Sequence, residues 1–131
     1  MTGPAVLVVE DDPSVRGLLH TLLTAEGYEV STASDGLAGL RSALDSPPAL
    51  ILLDVMMPDL GGVRVLEELG SDPVLAGVPV IVVTGRVDAV SDLERLLGAG
   101  MVFVKPFAVD ELVRRVAELI GGPARPFRPA P

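Results

Sequence analysis

Four short apolar runs in this chain each end at a polar residue. Apolar side chains, mostly valine, isoleucine and leucine, fill positions 6–9, 50–53, 80–83 and 101–104. Continuous runs of this length predict strands that are buried on both faces, as in a parallel sheet. The polar residues that end the runs are Glu10 with Asp11 and Asp12, then Asp54, Thr84 and Lys105.

Between these runs the apolar residues recur at the spacing of amphipathic helices. Asp12-Pro13 is a typical helix start, and a weaker second strand is predicted at 28–33. The fourth helix is predicted over Asp88–Leu97. The residues predicted to face the core are, helix by helix, Val15, Leu18, Leu19, Leu22 and Leu23; Leu37, Leu40 and Leu44; Val63, Leu66 and Leu69; Val90, Leu93, Leu96 and Leu97; and Val109, Leu112, Val113, Val116 and Ile120.

Five strand–helix units in one chain predict an α/β fold, a doubly wound five-stranded parallel sheet with helices on both faces. The commonest order at this length is the flavodoxin-like 2-1-3-4-5, whose ligands bind outside the carboxyl ends of the strands, near strands 1 and 3. Those strands carry Glu10, Asp11 and Asp54. We expect one domain over residues 1–122 and a Pro-rich tail or linker stub over residues 123–131.

Composition narrows the range of partners. The net charge of −8 and the small number of aromatic residues, one Tyr and three Phe, argue against a basic or base-stacking nucleic-acid surface. No apolar run approaches the roughly 18 residues that span a bilayer, and the chain does not open with a signal-peptide pattern. We therefore expect a cytoplasmic chain that binds neither nucleic acid nor membrane, an expectation that the absence of cysteine fits.

The strand-end residues suit phosphoryl transfer onto a carboxylate. Two like charges about 4 Å apart cost on the order of 4 kcal/mol at an effective dielectric of about 20, so clustered acids need a cation or a proton. Few, solvent-open oxygen ligands are typical of Mg²⁺. Asp54 could attack phosphorus to form an acyl phosphate, while Mg²⁺, the Lys105 ammonium and the Thr84 hydroxyl each serve one phosphoryl oxygen.

Each of these residues also has an ordinary structural interpretation. Acidic residues favour helix N-termini, and Asp12 is expected to cap the first helix. A strand-ending Asp54 could be a simple turn former, and Thr84 or Lys105 alone is uninformative. Their joint placement on four strand ends is what favours a functional site.

With these motifs the chain resembles the receiver domain of two-component response regulators over residues 4–120. The matching segments are residues 7–13, 54–58 followed by Gly62, 83–85 and 104–107. The resemblance implies that Asp54 accepts a phosphoryl group from the phosphohistidine of a histidine kinase or phosphotransfer protein. It also implies that Lys105 pairs with the phosphoryl group and is followed by a cis bond to Pro106.

The same resemblance implies a Mg²⁺ site and a signalling face. Asp11, Asp54 and the backbone carbonyl of Met56 would bind the metal, and Glu10 would act through water. The face formed by the fourth helix, fifth strand and fifth helix would then present the signal to a downstream protein target. The domain would be no enzyme beyond its own phosphorylation and slow autodephosphorylation.

Several positions depart from the common receiver pattern. Gly85 replaces the usual alanine after Thr84, and Val102 stands where an aromatic residue often rotates inward on activation. Strand alternation points the neighbouring Phe103 to the opposite face. Gly100 and Met101 occupy places where many transcription-factor relatives carry two acids of an inter-subunit salt-bridge set. We do not expect that dimer here.

Three other functions are compatible with a fold of this class. An aspartyl-phosphate hydrolase usually places a second Asp where this chain has Met56. A nucleotide or flavin binder would need a Gly-rich motif after strand 1, which is not present. A phosphorylation-independent interaction module stays open.

For a phosphorylated domain, we hypothesise that the bulk of Met56 and Arg86, each two residues past a site residue, slows hydrolysis of the acyl phosphate.

Overall fold

The computed structural model describes residues 3–55, 62–98 and 100–121. The elements are, in chain order, β1 (Ala5–Val9), α1 (Pro13–Ala25), β2 (Glu29–Ala33), α2 (Gly36–Asp45), β3 (Leu50–Asp54), α3 (Gly62–Ser71), β4 (Val80–Thr84), α4 (Val90–Leu97), β5 (Val102–Val104) and α5 (Val109–Ile120), with 3₁₀ turns at Leu75–Gly77 and Val87–Ala89. The tail at 123–131, its boundary at residue 122, and Met56 lie outside the described residues.

The five strands form one parallel sheet in the order β2-β1-β3-β4-β5, which confirms the predicted topology. Side chains alternate between the two faces, so each face has its own apolar core. Val6 and Val8 pack with residues of α1 and α5, whereas Leu7 and Val9 pack with residues of α2, α3 and α4. None of the helices in the described ranges is long and apolar enough to cross a lipid bilayer.

Helix α1 begins as predicted. The Asp12 side chain accepts hydrogen bonds from the backbone N–H groups of Ser14 (2.9 Å) and Val15 (3.5 Å), and Pro13 occupies the first turn. Such a cap satisfies donors that have no partner within the helix. The predicted core position of Leu18 is wrong: its side chain is exposed, because it lies at the edge of the apolar stripe whose centre carries the buried Leu19 and Leu23.

Helix α2 turns toward the sheet a face that is adjacent to the predicted one, so that of the three predicted residues only Leu40 packs against the core. Its buried residues are the small ones, Gly36, Gly39 and Ala43, while Leu37 and Leu44 are exposed and Leu40 is half-buried. A Cβ added to Gly39 would lie 2.7 Å from Cγ2 of Val9, so the helix backbone rests directly on β1. The small residues recur at the same helical period as the leucines. They are the ones that face the sheet, because only small side chains allow the helix to approach it this closely.

Two further core assignments are corrected, and the last helix is confirmed. In α3, Val65 is buried and Val63 exposed, although Leu66 and Leu69 are buried as predicted. The fourth helix begins at Val90, after a 3₁₀ turn, and its Leu96 is 68% exposed. In α5, the predicted residues Leu112 and Val116 are fully buried, and Val109, Val113 and Ile120 are half-buried.

Candidate functional site

The carboxyl ends of β1 and β3 bring three acids together. The two strands are paired with Val9 beside Leu53, so Glu10 and Asp54 leave the sheet at the same level. One carboxylate oxygen from each of Glu10, Asp11 and Asp54 lies within 4.8 Å of the others. Glu10 is 2% and Asp54 4% exposed, whereas Asp11 is open to solvent. The result is a recessed acidic patch with one exposed side.

Lys105 reaches this patch from the end of β5. Its backbone N–H donates to the carbonyl of Thr84 at 2.8 Å, which continues the pairing of β4 with β5. Its ammonium donates to Oε1 of Glu10 at 2.8 Å and to Oδ2 of Asp54 at 3.2 Å. The bond to Pro106 is cis, as the resemblance implied. One cation therefore bridges two buried carboxylates, and the shorter of its two contacts is to Glu10.

Thr84 is fully buried at the end of β4, the strand that lies between β3 and β5. Its Oγ1 accepts a hydrogen bond from the backbone N–H of Arg86 at 3.0 Å, which leaves the hydroxyl proton available to donate. The exposed guanidinium of Arg86 makes a two-pronged pair with Asp88, at 2.6 and 3.2 Å. Thr84 and the turn that follows it are thus connected through a backbone hydrogen bond.

In the described part of the chain, two of the three acids of the patch, Glu10 and Asp54, are paired with the single ammonium of Lys105. Burial raises the pKa of Glu10 from 4.5 to about 7; the hydrogen bond from Lys105 opposes this change, and a hydrogen bond with Asp54 adds to it. For Lys105, burial acts to lower the pKa, but hydrogen bonds and charges from Glu10 and Asp54 outweigh burial and raise it. The ammonium is therefore charged near neutral pH, and the buried carboxyl of Glu10 retains an affinity for a proton or a further cation.

The donor set fits Mg²⁺. It consists of carboxylate oxygens, two of them buried and one exposed, which leaves room for the water molecules that Mg²⁺ keeps. Of the predicted ligands, Asp11 and Asp54 lie in this cluster, and so does Glu10, which was expected to act through water. The predicted ligand from the Met56 carbonyl lies outside the described residues.

One residue near the site was not found from the sequence. Arg16, in the second turn of α1, donates from one guanidinium nitrogen to the backbone carbonyls of Glu10 (3.0 Å) and Asp11 (3.4 Å). The available signal was a single basic residue off the apolar stripe of α1, five positions after Asp11. Helical periodicity assigns such a residue to the solvated face, because periodicity says nothing about contacts with the backbone carbonyls of a neighbouring loop.

On the two faces of β5, Val102 and Phe103 lie as alternation predicts. Val102 packs against the core shared with α2, α3 and α4, and Phe103 packs against the core shared with α1 and α5. The only aromatic residue of β5, Phe103, therefore faces away from the side on which the resemblance would place one.

Comparison with known proteins supports this description. Residues 6–117 match the family model for the response regulator receiver domain. The transcriptional regulatory protein PrrA of Mycobacterium tuberculosis is 44% identical over 123 residues, which cover 92% of this chain and 51% of PrrA. The chain spans about half the length of the curated relatives it matches.

Solved structures agree in fold. The chemotaxis protein CheY4 of Vibrio cholerae superposes with a TM-score of 0.80 at 27% identity, covering 90% of this chain and 99% of CheY4. The receiver domain of the sensor histidine kinase PA1611 of Pseudomonas aeruginosa, whose structure has a magnesium ion coordinated in the active site cleft, gives 0.77 at 29% identity, covering 92% and 100%. Fold, acidic patch and family match agree, and the chain belongs to the receiver domain family of two-component response regulators.

Proposed function

We propose that this domain is a phosphorylation-activated switch in which Asp54 accepts a phosphoryl group with the help of Mg²⁺. The observation that carries the proposal is the position of the Lys105 ammonium, between buried carboxylates of Glu10 and Asp54. Phosphoryl transfer requires little covalent work from the protein, and its catalysis is mostly positioning and charge stabilisation. A carboxylate nucleophile beside a fixed cation meets both requirements.

The donor is the phosphohistidine of a histidine kinase or phosphotransfer protein. A carboxylate oxygen of Asp54 attacks phosphorus, the N–P bond breaks, and its electron pair leaves with the imidazole nitrogen. The product is an acyl phosphate on Asp54. Lys105 already contacts Asp54, so its ammonium can pair with one phosphoryl oxygen after a small movement away from Glu10. The Thr84 hydroxyl, whose oxygen accepts from the backbone of Arg86, donates to another phosphoryl oxygen.

In this proposal Asp11 and Asp54 would hold the metal, Glu10 would act through water, and the Met56 carbonyl would be a further ligand. When bound there, Mg²⁺ would supply positive charge for the phosphoryl group and would neutralise part of the acidic patch. The raised pKa of Glu10 supports a cation at this position, because ionising this buried side chain is costly while no metal compensates it.

The output face is formed by α4, β5 and α5. Reversing a 1:99 equilibrium takes about 5.5 kcal/mol of differential binding. The new contacts of Thr84 and Lys105 to the phosphoryl group supply part of this energy, and a downstream protein target supplies the rest. Because Val102 replaces the usual aromatic residue, the change is carried by the loop after Thr84 and by α4. The domain turns over no substrate beyond its own phosphorylation and slow dephosphorylation.

Intact mass spectrometry after incubation with Mg²⁺ and acetyl phosphate tests the proposal. We expect a gain of one phosphoryl mass in the wild type and in Asp45→Ala, a control at the exposed end of α2, and no gain in Asp54→Ala. Circular dichroism verifies that each variant is folded. An unmodified, folded wild type would instead place the chain among phosphorylation-independent interaction modules, with Gly85 and Val102 as the first residues to examine.

A further inference from the structure

The loop that carries two of the acids is connected to α1 by one arginine. Arg16 donates from a single guanidinium nitrogen to the carbonyl oxygen of Glu10 at 3.0 Å and, in a longer contact, to that of Asp11 at 3.4 Å. Arg16 is half-buried, and its backbone N–H makes the first helical hydrogen bond, to the carbonyl of Asp12 at 2.9 Å. Arg16 is therefore anchored in the helix and reaches back over the loop.

Other contacts in this loop leave Arg16 a distinct role. The Glu10 side chain accepts the backbone N–H of Asp12 at 3.2 Å, and the backbone N–H of Glu10 donates to Ala33 at 3.0 Å. The first bond restrains the Glu10 side chain within the loop, and the second ties the Glu10 backbone to β2. For Asp11, whose side chain is exposed, the contact from Arg16 restrains the carbonyl of the same residue. The direction of the Asp11 carboxylate depends on that peptide orientation.

We propose that Arg16 is a positioning residue for the metal site, which sets the affinity for Mg²⁺ by holding the backbone of Glu10 and Asp11. This inference rests on the proposed function and deepens it. A planar guanidinium can serve two carbonyls from a fixed geometry, whereas the ammonium of lysine is a shorter-reaching point donor of the same charge. Groups that orient metal ligands typically alter metal affinity by 10–100-fold when they are changed.

Replacing Arg16 by lysine separates geometry from charge. The positive charge near the acids is retained, so the electrostatic attraction of the site for Mg²⁺ is little changed. We expect the dissociation constant for Mg²⁺ of Arg16→Lys to rise about tenfold because the loop samples more orientations. The maximal rate of phosphorylation by acetyl phosphate, measured at saturating Mg²⁺, should stay close to that of the wild type. Arg114→Lys, at an exposed arginine of α5, is the matched control.

Two measurements on the full 131-residue chain test this. Isothermal titration calorimetry with MgCl₂ gives the dissociation constant, and the phosphorylation rate as a function of Mg²⁺ concentration gives the half-saturating concentration and the maximal rate. The proposal is supported by a higher half-saturating concentration at an unchanged maximal rate in Arg16→Lys alone.

Three results would overturn it. A destabilised Arg16→Lys with wild-type affinity for Mg²⁺ would assign Arg16 a purely structural role. An equal loss of affinity in Arg114→Lys would show a general effect of charge geometry. A wild type that binds no Mg²⁺ would contradict the proposed function itself, and this inference with it, so failure of the larger proposal is recognised from the wild type alone.

Discussion

Replacing Glu10 with glutamine should change how the stability of the Mg²⁺-free protein depends on pH. The substitution retains the size of the side chain and an oxygen that can accept the backbone N–H of Asp12, but it removes the ionisable group. Glu10 is 2% exposed and its pKa is raised, first of all by burial, from 4.5 to about 7. The folded protein therefore binds this proton more tightly than the unfolded chain does.

The sign and size of the effect follow from that difference. The stabilisation by Glu10 is fully present below pH 4.5 and is lost as pH rises through about 7, because the unfolded chain ionises first. At about 1.4 kcal/mol for each pKa unit, the loss amounts to about 3 kcal/mol. The free energy of unfolding of Glu10→Gln, measured relative to the wild type, should thus increase by about that amount between pH 4.5 and pH 8.

Urea unfolding followed by circular dichroism, in EDTA, measures this difference. Subtracting the free energy of unfolding of the wild type from that of the variant at each pH cancels most contributions from other ionising groups. Glu67→Gln, at an exposed glutamate of α3, is the matched control variant. Saturating Mg²⁺ should stabilise the wild type more at pH 8 than at pH 5, since only the ionised acids bind it; at about 100 times the dissociation constant the gain is about 2.7 kcal/mol. A pH-independent difference for Glu10→Gln would refute the reasoning.

Two further predictions concern packing and phosphate lifetime. Gly39→Ala should destabilise the protein by about 1–3 kcal/mol, because the new Cβ would lie 2.7 Å from the buried Val9, whereas Gly17→Ala in open space on α1 should stabilise it by about 0.5–1 kcal/mol. Urea unfolding compares the two, and equal signs would contradict the packing. Met56→Asn and Arg86→Glu should each release phosphate faster than the wild type, as measured by loss of phosphoryl mass with time; unchanged rates would reject a role for their bulk.

Much of the site was predictable because its residues end the strands. Apolar runs predicted β1, β3, β4 and β5, and parallel pairing places the carboxyl ends of all strands at one edge. Glu10, Asp54, Thr84 and Lys105 had to meet there once the strand order was known. The strand order was predicted from the number of strand–helix units and the chain length, and the observed order β2-β1-β3-β4-β5 confirms it.

The contacts within the site were not predictable in the same way. The sequence places Lys105 near Asp54, but the shorter contact of its ammonium is to Glu10, at 2.8 Å against 3.2 Å. Which carboxylate lies closer to the ammonium depends on how far each side chain extends across the edge of the sheet. The contact of Arg16 with the loop could not be read from the sequence. Every residue has a backbone carbonyl, so the residue types at positions 10 and 11 do not reveal that an arginine binds there.

The sequence by itself determined the strands, the helix positions and the polar residues that gather at one edge, because alternation, periodicity and capping are local. Only the tertiary structure decided which face of each helix is buried. In α2 two stripes compete, and the distance between helix and sheet selects Gly39 over the leucines, since a glycine lets the backbone approach Val9. Burial also raised the pKa of Glu10, because the cost of ionising a carboxylate depends on what the whole fold places around it.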